Sequence, residues 1–471
     1  MNRDRPYFFC GIGGSGMMPL ALTLKEKGCD VEGSDRSLDQ GRTKSKFSFL
    51  RDNGIKLHAQ DGSGLTNASQ ILVTSAAVEE SVPDVVKARE LGCEIVTRAQ
   101  LLASLFNAAP YNIAVAGTSG KSTVTGMIGW ILHSVGREPT VMNGAVMKNF
   151  VTDDVPFASA LVGSDDLMVA EVDESDGSIA YYNPHIAVLN NIAFDHKPLD
   201  ELRQLFGDFV KRSEFAILNL DNPDTAALAG QLSPEKEFTF SLDNPKADLV
   251  ASEIVPSAEG ISFKVTNNRN GKTWPVSLVI PGRHNVANAL AAMAATLAYD
   301  VLVRDAADAL NKFKGIRRRL ELIGTAGGVT IIDDFAHNPD KINAMMQTLH
   351  QFPGRVLVMF QPHGFGPLRL MRKELVQTFI DNLRPDDVLL MPDPVYYGGT
   401  TNRTVTSVDL VNDITAAGRN AIYCTDRDAC GDKLVDIVQP GDRIVVMGAR
   451  DDTLPQFARE LLDRIEKRAA A

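Results

Sequence analysis

The heptapeptide Gly117-Thr118-Ser119-Gly120-Lys121-Ser122-Thr123 carries the residue types that phosphate chemistry requires, at the spacing it requires. It follows the apolar run Ile113-Ala114-Val115-Ala116 and precedes Val124-Thr125-Gly126-Met127-Ile128-Gly129-Trp130-Ile131-Leu132. That order predicts a buried strand, a tight glycine turn and a helix with an apolar face. The glycines let backbone N–H groups turn inward on a phosphate chain, and the helix N-terminus adds the positive end of its dipole. Lys121 would reach the β- and γ-phosphates, while Ser122 offers a hydroxyl to Mg²⁺. A chance glycine turn has no need of strand, lysine, hydroxyl and helix in this order. The segment therefore predicts binding of a nucleoside triphosphate. One position departs from the longer form of this loop: Val115 stands where that form has its first glycine.

A second constellation is Ala170-Glu171-Val172-Asp173-Glu174-Ser175-Asp176, just past the apolar strand Leu167-Met168-Val169-Ala170. Carboxylates this dense repel one another unless a cation neutralises them, and Mg²⁺, which takes oxygen ligands, is the natural partner. Asn190-Asn191-Ile192-Ala193-Phe194-Asp195-His196 follows another apolar strand. His196 there suits a metal ligand in a phosphoryl-transfer site. Gly11-Ile12-Gly13-Gly14-Ser15-Gly16, after Tyr7-Phe8-Phe9-Cys10 and before Asp35, reads as a βαβ unit whose glycine turn faces a phosphate or nucleotide. Asn285 and Asn288 share one face of a helix start, where they could meet a purine edge or simply cap the helix. Arg317-Arg318-Arg319 offers an arginine to a γ-phosphate, or only a solvated face. Asp333, Asp334 and His337 leave another strand, with the two acids open to reading as turn and cap.

Three stretches of alternating strand and helix must position these groups, which predicts an α/β fold of three domains. Residues 1–108 read as a Rossmann-like N-terminal domain, 109–315 as a central P-loop ATPase-type α/β domain, and 316–471 as a C-terminal Rossmann-like α/β domain. Residues 236–280 alternate and turn, which predicts an antiparallel insertion, and 281–302 read as a helix. The net charge of −11 argues against a nucleic-acid-coating surface. No apolar run is long enough to span a bilayer, and the first residues lack a signal peptide's apolar stretch. Cys10, Cys29, Cys93, Cys424 and Cys430 form no Cys-x-x-Cys pair and read as reduced, mostly buried residues, so the expected location is cytoplasmic.

In order and over essentially the whole chain, these motifs resemble the Mur ligase family, whose ATP loop has the shorter form Gly-Thr-x-Gly-Lys-Ser/Thr. The glycine loop at 11–16 with Gly33-Ser34-Asp35 is most similar to the branch that joins L-alanine to UDP-N-acetylmuramate. The resemblance implies an ADP-forming ligase of peptidoglycan precursor synthesis that works through an acyl phosphate. It implies ATP held by Gly117 to Thr123, with Lys121 on the phosphates, Asn288 at the adenine, and Arg319 and Asp334 at phosphates and ribose. Ser122 and Glu171 would ligate Mg²⁺, and His196 a second ion. Gly13, Gly14, Ser15, Gly16 and Asp35 would bind UDP-N-acetylmuramate, and His337 would lie near the amine. The implied catalytic set is Lys121, His196 and Arg319. The partners are then the UDP-sugar and an amino acid or peptide amine, with no nucleic acid and no membrane insertion, in a monomer or homodimer.

Two departures bear on the amine. Ser119 stands where this branch commonly has histidine, and Gly364-Phe365-Gly366-Pro367 follows Phe360-Gln361-Pro362-His363 where the branch usually places arginines for the amino acid's carboxylate. Arg369 is the residue that could compensate. Phe313-Lys314-Gly315 and Asp333-Asp334-Phe335-Ala336-His337 are also similar to the sister enzyme that attaches a recycled murein tripeptide, which leaves that amine open. Two further readings compete: a precursor sensor without catalysis, and a nicotinamide oxidoreductase resting on Gly11-x-Gly13-x-x-Gly16 and Asp35.

Overall fold

The computed structural model describes residues 3–76, 78–193, 197–257, 260–395, 403–449 and 451–470. Two compact units emerge, one of Met1–Ile254, Ser262–Leu278 and Asn285–Ile316, the other of Val255–Ile261, Val279–His284 and Arg317–Ala471. Among the described residues the strands form three sheets.

The first sheet contains β1 (Tyr7–Cys10), β2 (Val31–Ser34), β3 (Lys56–His58), β4 (Ile71–Thr74) and β5 (Glu94–Thr97), in the order β3-β2-β1-β4-β5. All its pairings are parallel. The chain reverses its direction of winding beside β1, and the crevice at the carboxyl end of such a switch strand is where open α/β sheets hold ligands. The glycine loop lies there. Gly33 pairs with Phe9, and a Cβ on it would stand 2.6 Å from the Phe9 carbonyl oxygen, so this register requires glycine.

The central sheet contains β6 (Tyr111–Ala116), β7 (Thr140–Met142), β8 (Ala160–Leu161), β9 (Leu167–Glu171), β10 (Ile186–Leu189), β11 (Phe215–Asn219), β12 (Glu237–Ser241), β13 (Leu249–Ser257), β14 (Gly260–Asn267) and β15 (Lys272–Leu278). Their order is β15-β14-β13-β12-β11-β10-β6-β9-β7-β8, with β6 between β10 and β9. Residues 236–280 are thus no separate insertion. β12 runs parallel to β11 and β13 parallel to β12, and β14 and β15 extend the same sheet. Alternation in the sequence reports one solvated face and says nothing of which sheet a strand joins. The helix expected over 281–302 spans Arg283–Ala298.

The third sheet contains β16 (Glu321–Ala326), β17 (Val329–Asp334), β18 (Val356–Phe360), β19 (Val388–Met391), β20 (Ala421–Tyr423) and β21 (Arg443–Met447), in the order β16-β17-β21-β18-β19-β20. Only β16 runs antiparallel, and its register slips between Leu322 and Gly324. Both faces are covered, so the strands read as continuous apolar runs. Val358, Phe360, Leu389 and Val445 pack on one side with Met346, Phe379 and Ile414 from helices. Leu357, Met359, Leu390 and Val446 pack on the other with Leu434, Phe457 and Leu461. Of the five cysteines, four are buried, Cys93 is half-buried, and all are free thiols.

Candidate active site

The phosphate loop leaves β6 and enters the helix Lys121–Ser134. Gly117 and Gly120 hold φ angles of 129° and 89°, which the turn demands and only glycine adopts easily. Gly120 is the helix N-cap and no side chain caps the turn, so the first-turn N–H groups are left for an anion. The segment after β10 holds the loop. Thr118 N donates to Asn191 O (3.1 Å), and Ser119 N to Asn191 Oδ1 (2.9 Å). Asn190 Nδ2 donates to Ser119 O (3.1 Å) and to Asn288 Oδ1 (2.9 Å). Asn288 Nδ2 in turn donates to Asn285 Oδ1 (3.1 Å), and Asn288 is buried. The amide expected at an adenine is therefore engaged in bracing the loop.

Lys121 Nζ donates to Gly117 O and to Glu174 Oε2, both at 2.8 Å. Burial would pull its ammonium down in pKa, but the carboxylates of Glu174, Asp173 and Glu171 outweigh burial and hold it above its ordinary value. The charge needed against a phosphate is secured.

The turn at Asn143 and Gly144 lies against both the Ser122 backbone and the Glu171 carboxylate. Asn143 Nδ2 donates to Ser122 O (2.9 Å), and a Cβ on Gly144 would stand 2.0 Å from Glu171 Oε1. Glu171 closes β9 beside Val115 of β6, and Val172 N donates to Val115 O (2.9 Å). Hydroxyl and carboxylate are hard oxygen donors, the set Mg²⁺ prefers, and Mg²⁺ needs few protein ligands when phosphates supply others. Among the described residues no cluster of three His, Cys, Asp or Glu side chains could hold a metal alone. His196 lies outside the described residues.

In the first sheet the glycine loop folds onto Asp35. Gly13 N donates to Asp35 Oδ2 (2.8 Å), which shapes the loop, while Asp35 Oδ1 accepts from Ser37 N (2.7 Å) and caps the helix Arg36–Asp39. Lys46 Nζ donates to Gly13 O (2.9 Å). Gly14, Ser15 and Gly16 lead into the helix Met17–Glu26, which has Gly16 as an N-cap without a side-chain cap. Arg98, which the sequence reading missed, lies over this turn: a Cβ on Gly16 would meet Arg98 Cδ at 3.0 Å. Asp173 is held below its ordinary pKa because, against desolvation, Lys121, Ser175 and Arg98 favour its charged form. A cation beside an uncapped helix start suits a phosphate.

The second unit assembles its own group at the ends of β17 and β18. Asp334 accepts from Leu320 N and Ala336 N, both at 2.7 Å, and burial raises its pKa. Of the three arginines, Arg318 is structural: it is buried, donates to Gly448 O (2.6 Å) and Asp451 O (3.2 Å), and lies 3.4 Å from Asp333 Oδ1. Arg319 stacks on Phe335, its guanidinium carbon 4.6 Å from the ring centroid. His337 Nδ1 lies 2.8 Å from Phe335 O, and the rings of His337 and His363 are 5.0 Å apart. Burial, Lys341, His363 and Arg319 keep His337 well below its ordinary pKa, so its imidazole is neutral at physiological pH. With Nδ1–H donating to the carbonyl, Nε2 is an acceptor. Arg369 is exposed on the short helix Phe365–Leu370.

Comparison with known proteins agrees with this arrangement. Residues 6–109 match the Mur ligase family catalytic domain, 115–296 the Mur ligase middle domain, and 318–450 the Mur ligase glutamate ligase domain. The chain is 33% identical to the UDP-N-acetylmuramate–L-alanine ligase of Agrobacterium fabrum over 463 residues, covering 94% of each chain. It is 34% identical to the enzyme of that name from Geobacter sulfurreducens over 453 residues, again 94% of each. In fold it is similar to the UDP-N-acetylmuramate–alanine ligase of Thermotoga maritima (TM-score 0.78, 22% identity, 98% of this chain and 100% of that one). The murein peptide ligase of Psychrobacter arcticus superposes with a TM-score of 0.73 at 25% identity, covering 98% of this chain and 99% of that one. With three α/β sheets, a braced phosphate loop and full-length relatives in agreement, the chain belongs to the Mur ligase family.

Proposed function

We propose that the chain is an ATP-dependent, ADP-forming ligase that joins L-alanine to the lactyl carboxylate of UDP-N-acetylmuramate in peptidoglycan precursor synthesis. The observation that carries this reading is the full-length likeness to UDP-N-acetylmuramate–L-alanine ligases in a chain whose phosphate lysine is charged and fixed. In the first half-reaction a carboxylate oxygen bonds to the γ-phosphorus and ADP leaves. In the second the amine attacks the acyl carbon, phosphate leaves and a proton is lost.

Each residue has a part in this scheme. Lys121 and the first-turn N–H groups offset charge on the transferring phosphoryl group. Ser122 and Glu171 would hold Mg²⁺, with His196 at a second ion; such ions supply Lewis-acid stabilisation of the phosphoryl oxygens. Gly117, Thr118, Ser119, Gly120 and Thr123 complete the phosphate loop, Arg319 and Asp334 serve the nucleotide, and Asn288 serves it by bracing the loop through Asn190. Gly13, Gly14, Ser15, Gly16 and Asp35, with Arg98 added, serve UDP-N-acetylmuramate. His337, through neutral Nε2, accepts a hydrogen bond from the amine, and Arg369 is assigned to the amine's carboxylate. The division of labour follows the boundaries near residues 108 and 315. No helix among the described residues is long and apolar enough to cross a membrane, and we assign the enzyme to the cytoplasm as a monomer or homodimer.

Phosphate release from purified protein with ATP, Mg²⁺ and UDP-N-acetylmuramate tests the reading, with L-alanine, L-serine, glycine and the L-Ala-γ-D-Glu-diaminopimelate tripeptide offered in turn. Stimulation by L-alanine is expected. Stimulation by the tripeptide alone would reassign the chain to precursor recycling, and silence with all four would remove the ligase reading.

A further inference from the structure

The acidic run after β9 does not act as one cluster. Asp173 Oδ1 accepts from Ser175 N (3.0 Å) and Asp176 Oδ1 from Ser178 N (2.9 Å), so these two carboxylates shape local turns. Glu171 lies against Gly144. Only Glu174 reaches the phosphate lysine, at 2.8 Å, and its side chain is 5% exposed.

We propose that Glu174 is a positioning residue for phosphoryl transfer: its buried carboxylate clamps the Lys121 ammonium against the Gly117 carbonyl and leaves one N–H for a phosphate oxygen. This rests on the ligase reading above. A lysine has a flexible stem and a strongly hydrated head, so without fixed acceptors it samples many orientations. Here two acceptors, on separate segments, each hold one of its three donors. The third has no protein partner among the described residues. Because Glu174 is buried, it cannot swing into solvent without breaking its ion pair with Lys121. Its backbone is tied as well, with Gly177 N donating to Glu174 O (3.2 Å). The lysine is thus aligned before the nucleotide arrives, and the alignment matters most when charge develops on the transferring group.

Glu174→Ala should lower kcat at least 30-fold while the KM for ATP stays within threefold. Glu174→Gln keeps an acceptor of the same shape without the charge, so its kcat should fall between the two, and it carries the test if the alanine variant does not fold. A kcat within threefold of wild type in both variants would overturn the proposal. So would a lower KM for ATP with kcat retained, since Glu174 would then be competing with the phosphate. If the wild type ligates none of the offered amines, the ligase reading fails separately. The nucleotide-free crystal structure of Glu174→Ala then decides the clamp: loss of the Lys121–Gly117 contact upholds it, and retention refutes it.

Discussion

Gly144 and Glu171 are fitted so closely that a Cβ on the glycine would stand 2.0 Å from the Glu171 Oε1 atom. Gly144 is not among the residues with positive φ, so an alanine there is a steric change alone. Gly144→Ala should push the Glu171 carboxylate aside while leaving its charge in the protein. Overpacking of this kind costs about 1–3 kcal/mol of stability. Turnover should fall at least tenfold, and more Mg²⁺ should be needed for half-maximal rate. Phosphate release across an Mg²⁺ titration reads both. An unchanged Mg²⁺ requirement would take Glu171 off the list of metal ligands.

Gly120→Ala meets two penalties at once. Its φ of 89° is unfavourable for alanine, and the new Cβ would come within 2.4 Å of Asn190 Nδ2 and 2.5 Å of Asn288 Oδ1. Together these predict a loss of roughly 2–4 kcal/mol in unfolding free energy and much weaker nucleotide binding. Adding Asn288→Ala removes one of the two clashes and leaves the φ strain, so the double variant should recover part of the stability. Urea denaturation of the single and double variants measures the coupling. Strict additivity would mean that Asn288 does not press on the loop at Gly120.

The phosphate loop was legible in the sequence because its chemistry is local: strand, glycines, lysine and helix are contiguous. The central strands were legible for a similar reason, since both faces are buried and the runs are continuous. What holds the loop was not. Asn190 and Asn288 stand 98 residues apart, and no local period marks two amides that meet only after folding. Glu174 was visible only as one of several acids, and its burial and its contact with Lys121 separate its role from that of Asp173, which caps a local turn. Arg98 opens a helix behind a Thr97–Gln100 capping box, a signal that speaks of helix initiation and not of the glycine turn it covers. Strand β16 went unread because its bulge near Gly324 breaks the alternation, and β3 and β20 are three residues each.

Arg98→Ala should raise the KM for UDP-N-acetylmuramate about tenfold to a hundredfold and leave the KM for ATP near its wild-type value. The magnitude follows from a charged hydrogen bond, at about 1.5–3 kcal/mol. Arg98→Lys should recover only part of the loss, because an ammonium cannot reproduce the planar fork of a guanidinium on a phosphate. Steady-state kinetics with each substrate varied in turn separates the two effects. Equal changes in both KM values would point to a distorted fold and away from a substrate contact.

Asp333 is fully buried, with Oδ1 3.4 Å from Arg318 Nε and Oδ2 without a hydrogen-bond partner. Burial pushes its carboxyl up to about 7, against the pull of Arg318 and with a further push from Glu321 and Asp334. The sign of the consequence is fixed. In the unfolded chain the group ionises near 3.8, so between that pH and about 7 the folded state holds a proton that the unfolded state has lost. Folding stability from this group is therefore complete below about 3.8 and declines as pH rises to about 7. Asparagine does not titrate, so Asp333→Asn should lack that decline. Between pH 5 and pH 8 the wild type should lose about 2–3 kcal/mol relative to the variant, at about 1.4 kcal/mol for each pH unit up to 7. Urea unfolding at the two pH values makes the comparison. An unchanged difference would mean that Asp333 is already ionised at pH 5 in the folded protein, with the Arg318 ion pair outweighing burial.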